Sequence, residues 1–184
     1  LFRSSTRVPV AIDKVYERTS AACACQLRGA RAIGGGVYAV GWNEVSEGFP
    51  GAPWGITSIR FHSGVAAVEH RRGADGVDPL IDWLISPALD LSGTTTAQVT
   101  WFESGDFTEG AKHSLWISTT GPDPLSGSFE KVGDVPAPLE DAWARSPVYD
   151  LSPWAGASSV WLAWKYEGQH TDAWTLDDVR VREL

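Results

Sequence analysis

The sequence predicts an all-β sandwich with internal pseudo-symmetry. Three observations carry this: a ten-residue pattern that occurs twice, short strand-like runs parted by turn clusters, and the lack of any helical stripe. Trp83-Leu84-Ile85-Ser86-Pro87-Ala88-Leu89-Asp90-Leu91-Ser92 returns as Trp143-Ala144-Arg145-Ser146-Pro147-Val148-Tyr149-Asp150-Leu151-Ser152, in the shared form W-x-x-S-P-x-x-D-L-S. Each copy leads through a Gly- or Ser-containing turn into an aromatic apolar run, Ala97–Phe102 and Val160–Trp164. Two matching strand–turn–strand units describe a sandwich scaffold. Asp90 and Asp150, each two residues before Ser, read as turn formers rather than ligands.

Strand-like runs follow one another at intervals of roughly ten to fifteen residues, the spacing of a sandwich. The expected strands lie near 37–42, 57–62, 65–70, 80–86, 97–103, 113–119, 128–132, 145–150, 159–166 and 173–182. Turn clusters part them at Phe49–Pro53, Gly73–Gly76, Gly105-Asp106 and Gly121–Pro124. Pro and Gly interrupt nearly every window long enough for a helix.

Residues 1–40 differ from the rest. They hold both Cys and the Gly34–Gly36 run but no Trp. Val8, Val10 and Ile12 alternate with Pro9, Ala11 and Asp13, a strand signal broken by an edge-type proline. The expected division is an N-terminal extension over 1–40, hinged at 34–36, and a sandwich domain over 41–184. Cys23 and Cys25 are two apart and badly placed to bridge each other. They read as small buried thiols or as a link to a second chain. The chain lacks Met, which is expected of a processed chain or an excised piece.

Composition narrows the function. A hydrophobic share of 43% and a charged share of 21% are ordinary for a globular domain, whereas ten Trp are not. A net charge of −8 disfavours nucleic acid, and His70-Arg71-Arg72 is too short a basic run to reverse that. No stretch approaches a membrane span. Motifs for a serine nucleophile elbow, a zinc protease helix, a P-loop or a dinucleotide loop are absent. His62, His70, His113 and His170 are scattered, and each reads as surface or structural. No carboxylate pair stands out, so no catalytic residue is assigned.

One acidic pair invites a cation. Asp177-Asp178 interrupts the apolar run Thr175–Val181, and Leu176 falls out of phase with Val179 and Val181. A β-bulge is expected there, with a bound divalent ion compensating an inward acid. The bland alternative is that both acids face solvent on an edge strand.

Five motifs, in order, resemble the cleaved-adhesin family of surface modules, which includes choice-of-anchor J domains. They are Glu47-Gly48-Phe49-Pro50 with Trp54, Trp83–Leu91, Leu115–Gly121, Tyr149–Gly156 and Val160–Val179. The resemblance covers about residues 44–182 and leaves out the first forty. It implies a secreted jelly-roll sandwich, similar to MAM and carbohydrate-binding modules, with structural calcium. Carried over by motif, Asp177 would be a ligand on the last strand, with Asp178 nearby and Glu47 or Glu44 on the first. The family's acidic loop after the opening Trp is replaced by Gly55–Phe61, which has no acids. Asp75-Gly76-Val77-Asp78 is the nearest substitute.

The expected function is therefore a non-catalytic adhesion or recognition domain, extracellular, binding a glycan or surface protein. Loop residues Trp54 and Trp154 are its candidate sugar-stacking rings, with core anchoring as their other reading. A second function is self-assembly into filaments or surface layers, with Val8, Val10 and Ile12 adding a strand to a neighbouring copy and Cys23 or Cys25 locking it. A third is an accessory domain of a secreted peptidase.

Overall fold

The computed structural model describes residues 41–47, 54–71, 80–106, 110–168 and 173–183. The extension, with Val8, Val10, Ile12, Cys23 and Cys25, lies outside them, as do Asp75, Asp78 and His170. Two antiparallel sheets pack face to face as a jelly-roll sandwich. The strands are β1 (Asn43–Glu47), β2 (Trp54–Thr57), β3 (Ala67–His70), β4 (Leu80–Ile85), β5 (Gln98–Asp106), β6 (Lys112–Ser118), β7 (Glu130–Val135), β8 (Ala144–Arg145), β9 (Tyr149–Asp150), β10 (Trp161–Gly168) and β11 (Ala173–Arg182). One sheet has the order β1-β4-β10-β6-β7; the other runs β2-β3-β11-β5-β8, with β9 also on β5.

The core follows from period-two alternation. Val99 and Trp101 of β5, Leu115 and Ile117 of β6, Leu162 and Trp164 of β10, and Trp174 and Leu176 of β11 meet between the sheets. Trp101 stands edge-on to Trp164 at 5.5 Å and lies parallel to Tyr149 at 5.2 Å. Such rings bury a large area in a wide sandwich.

The doubled pattern closes both sheets in one way. In the first copy Ser86 N–H donates to Leu162 O, and Ser86 Oγ accepts from Leu162 N–H at 2.9 Å. In the second, Ser146 N–H donates to Trp101 O and Ser146 Oγ accepts from Trp101 N–H at 3.0 Å. Each hydroxyl then donates to the carbonyl of the following proline. Leu91 and Leu151 are both buried, and Asp90 and Asp150 accept from the N–H of Ser92 and Ser152 at 2.9 Å. Those contacts, the serine side chains first, hold both carboxyls below the usual range.

Four strand expectations shift, one of them 145–150, which divides into β8 and β9 around Ser146-Pro147-Val148. Residues 37–40 lie outside the described set, and the first described strand covers 43–47 instead of the expected 37–42. The expected 57–62 strand ends at Thr57, because the chain then turns into a loop pinned to β11. The 128–132 strand begins at Glu130 and runs to Val135.

Candidate functional site

The outward face of the five-stranded sheet gathers most of the features expected of a recognition surface. Strand register lays its side chains out as a grid. One row is Asn43, Ile85, Ala163, Trp116 and Lys131; the next is Val45, Trp83, Lys165, Ser114 and Asp134. A third is Glu47, Ile81, Glu167 and Lys112, while Trp161 stands beside Ser118 at the far end.

Ala163 matters because it is small. Trp116 on β6 lies directly beside it, Trp83 on β4 lies one row along, opposite Lys165, and the two rings meet edge to face over β10 at 5.4 Å. Lys165 sets its ammonium 5.0 Å from the Trp83 ring and 5.5 Å from that of Trp116, and 3.3 Å from Glu167. Trp83 Nε1 donates to Glu47 Oε1 at 2.6 Å, and Trp116 Nε1 to Ser114 Oγ at 2.8 Å. Phe129, from the loop before β7, covers one side of Trp83. Trp116, one side of whose ring carries Lys165, and Trp161 both stay half-buried. A partly exposed indole ringed by Lys, Glu and Ser can stack on an apolar sugar face and hydrogen-bond its hydroxyls.

The residues expected to stack on sugar are elsewhere. Trp54 is buried between the sheets, 5.2 Å from Trp174 and 5.4 Å from His70, so it is a core anchor. Trp154 is half-buried against the core, and its indole N–H is tied to Glu130. Neither belongs to the grid.

The acids assigned to calcium are not gathered either. Glu44 and Glu47 sit on β1 of one sheet and face opposite ways; Asp177 and Asp178 sit on β11 of the other. The expected bulge is present: pairing with β5 slips between Asp177 and Arg180, and Asp178 adopts φ 50°. Asp tolerates this left-handed conformation better than most residues. β11 is internal rather than an edge strand, and the acids are buried beneath the β2–β3 loop on the outer side.

Protein donors compensate them. Asp177 Oδ2 accepts from the N–H of His62 and of Ser63, both at 2.9 Å, and its Oδ1 from Asp178 N–H at 2.7 Å. Asp178 engages His62 Nδ1 at 2.8 Å and Ser63 Oγ at 2.9 Å. Burial pushes the Asp177 carboxyl up while the N–H donors pull it down. With those oxygens so engaged and the glutamates distant, the four acids do not fit one calcium site. Among the described residues no group of three or more His, Cys, Asp or Glu is placed to hold a metal.

Ser63, His62 and Asp178 are the residue types of a hydrolytic triad, but the wiring is wrong for one. Serine and histidine both bond to the aspartate, so no base faces the hydroxyl. His62 instead lies flat on Phe102 at 3.6 Å. The cluster anchors a loop.

The sandwich interior holds a polar end that the sequence reading missed. His70 Nε2 meets Asp82 Oδ2 at 2.8 Å, fully buried, and His70 stacks on Tyr166. His113 is buried near Trp174, and neither ring nitrogen has a hydrogen-bond partner among the described residues. Burial, then the nearby His70, lowers its pKa to about 3. Glu103 takes the indole N–H of Trp101 at 2.9 Å and of Trp174 at 3.1 Å, yet burial still raises it. A signal existed: His113 is in phase with Leu115 and Ile117, and Glu103 with Val99 and Trp101.

No family model matches this sequence, and no curated protein does. Solved structures resemble the fold. The K1 cleaved adhesin domain of Lys-gingipain from Porphyromonas gingivalis W83 superposes with a TM-score of 0.60 at 16% identity, covering 90% of this chain and 99% of that one. The K3 domain of the same protein gives 0.60 at 16% identity over 79% and 93%. The module TmCBM61, solved with β-1,4-galactotriose, gives 0.54 at 16% identity over 78% and 90%.

Proposed function

We propose that this chain is a non-catalytic, extracellular recognition domain that binds a glycan on the outward face of its five-stranded sheet. The observation that carries the reading is the Trp83–Trp116 pair that meets over β10, with Lys165 near both rings and Trp116 and Trp161 half-buried. Indole faces supply stacking area at little entropic cost, and the Lys165–Glu167 pair offers a donor and an acceptor to sugar hydroxyls. The sandwich architecture that it shares with adhesin domains and with a galactotriose-bound module supports the same reading.

A glycan array probed with the intact chain, with β-1,4-galactotriose among the ligands, tests this. Retention of one or more neutral oligosaccharides is expected. A chain that binds none of them contradicts the proposal. Calcium is a separate proposal, resting on the family resemblance and not on the Glu44–Glu47–Asp177–Asp178 set.

A further inference from the structure

The opposite face of the molecule is built differently. Register puts Arg180 beside Thr100, Arg182 beside Gln98 and Arg145 beside Phe102, all pointing outward from the six-stranded sheet. Arg145 reaches Thr100 Oγ1 at 3.4 Å, so its guanidinium and that of Arg180 flank one residue. The three lysines among the described residues all lie on the other sheet, so the two faces carry different cations.

These arginines are poorly matched by acids of their own. Arg180 comes no nearer than 4.0 Å to Asp178, which His62 and Ser63 already occupy, and its buried Nε has no hydrogen-bond partner among the described residues. Arg145 and Arg182 are exposed and form no ion pair among the described residues. Asp150, across Gln98, is engaged by Ser152. Trp143, two residues before Arg145, stands half-exposed against His62 at 5.7 Å. In a chain of net charge −8, a row of like charges with spare donors and an aromatic ring at one end is a surface short of an anion.

We propose that the strip from Trp143 through Arg145 to Arg180 and Arg182 is a second binding surface, and that it takes an acidic oligosaccharide. The guanidinium forks would hold a carboxylate or sulfate by paired N–H···O bonds, which lysine cannot do, and Trp143 would take the adjoining ring. An acidic polypeptide would satisfy the arginines but has no sugar ring to lay on Trp143.

Affinity electrophoresis through heparin and through polygalacturonate distinguishes sulfate from carboxylate as the anion; polyglutamate and neutral β-1,4-galactan serve as controls. Retention on at least one acidic polysaccharide is expected, weakening with added salt. Arg145→Gln should weaken it about tenfold, the loss of one charge-assisted contact. Trp143→Ala should weaken it too, and neither substitution should alter retention of a neutral oligosaccharide held at the other face. Arg145 is exposed, so its replacement does not threaten the fold. Failure to bind either polysaccharide at low salt, indifference to both substitutions, or equal retention by polyglutamate overturns the proposal, and none of these bears on the Trp116 face.

Discussion

Ser146 repeats on one sheet the hydrogen bonding of Ser86 on the other. In each case the hydroxyl stands where a strand carbonyl would, accepting from the N–H of Trp101 or of Leu162. The Ser-Pro step ends a strand without stranding a buried donor, and proline then keeps the chain extended. This is the physical content of the doubled sequence pattern.

Ser86→Ala and Ser146→Ala should each destabilise the fold by about 1–3 kcal/mol, because each leaves a buried backbone N–H unsatisfied. Urea unfolding measures it. Two neutral substitutions would mean that water takes over the acceptor role and that the repeat is not structural.

Asp177→Ala removes the acceptor of three backbone N–H groups and should cost about 2–4 kcal/mol. Thermal melts in calcium and in chelator separate two contributions. If donors alone anchor the β2–β3 loop, the loss is the same in both. A loss confined to calcium-containing buffer would show that an ion, and not the N–H groups, stabilises the pair.

Trp54→Ala should behave as a core deletion, costing about 3–5 kcal/mol. Its melting temperature should fall sharply, and any glycan bound by the folded fraction should keep its affinity. Selective loss of affinity with unchanged stability would return Trp54 to the binding site.

His113 gives the fold an acid sensitivity with a definite sign. In the folded chain its pKa is lowered from 6.5 to about 3, so the native state keeps it neutral while the unfolded chain takes a proton. Its stabilising contribution is whole above pH 6.5 and falls as pH drops toward 3, by up to about 1.4 kcal/mol per unit. Glu103 and Asp177, both raised by burial, act in the opposite sense, favouring the fold as pH falls toward their lower unfolded values. His113→Leu isolates the histidine. Between pH 7 and pH 5 the stability difference should move toward the variant by about 2 kcal/mol. A difference that does not change with pH would show that His113 does not titrate on unfolding in this range.

Much of the architecture was legible because inward residues obey period two and the paired pattern marks equivalent strand ends. The bulge at Asp177-Asp178 was legible from broken phase. What compensates those acids was not, since His62 and Ser63 lie more than a hundred residues away in sequence, at and just beyond the end of a stretch that reads as a strand. The proposed recognition face was hidden for another reason. Val160–Trp164 is apolar or aromatic in both phases, so alternation cannot tell Trp161, which faces out, from Trp164, which faces in. Trp54 and Trp154 drew notice through their loop-like flanks, and tertiary packing decided otherwise.

The central claim is that the ring of Trp116 is the sugar platform. Calorimetric titration of an oligosaccharide found on the array into the native chain and into Trp116→Ala tests it most directly, with circular dichroism and melting to confirm the fold. The expected result is a loss of affinity of tenfold or more, about 1.4 kcal/mol, in a variant that stays folded. Unchanged affinity in a folded Trp116→Ala chain would contradict the account and move recognition off this face.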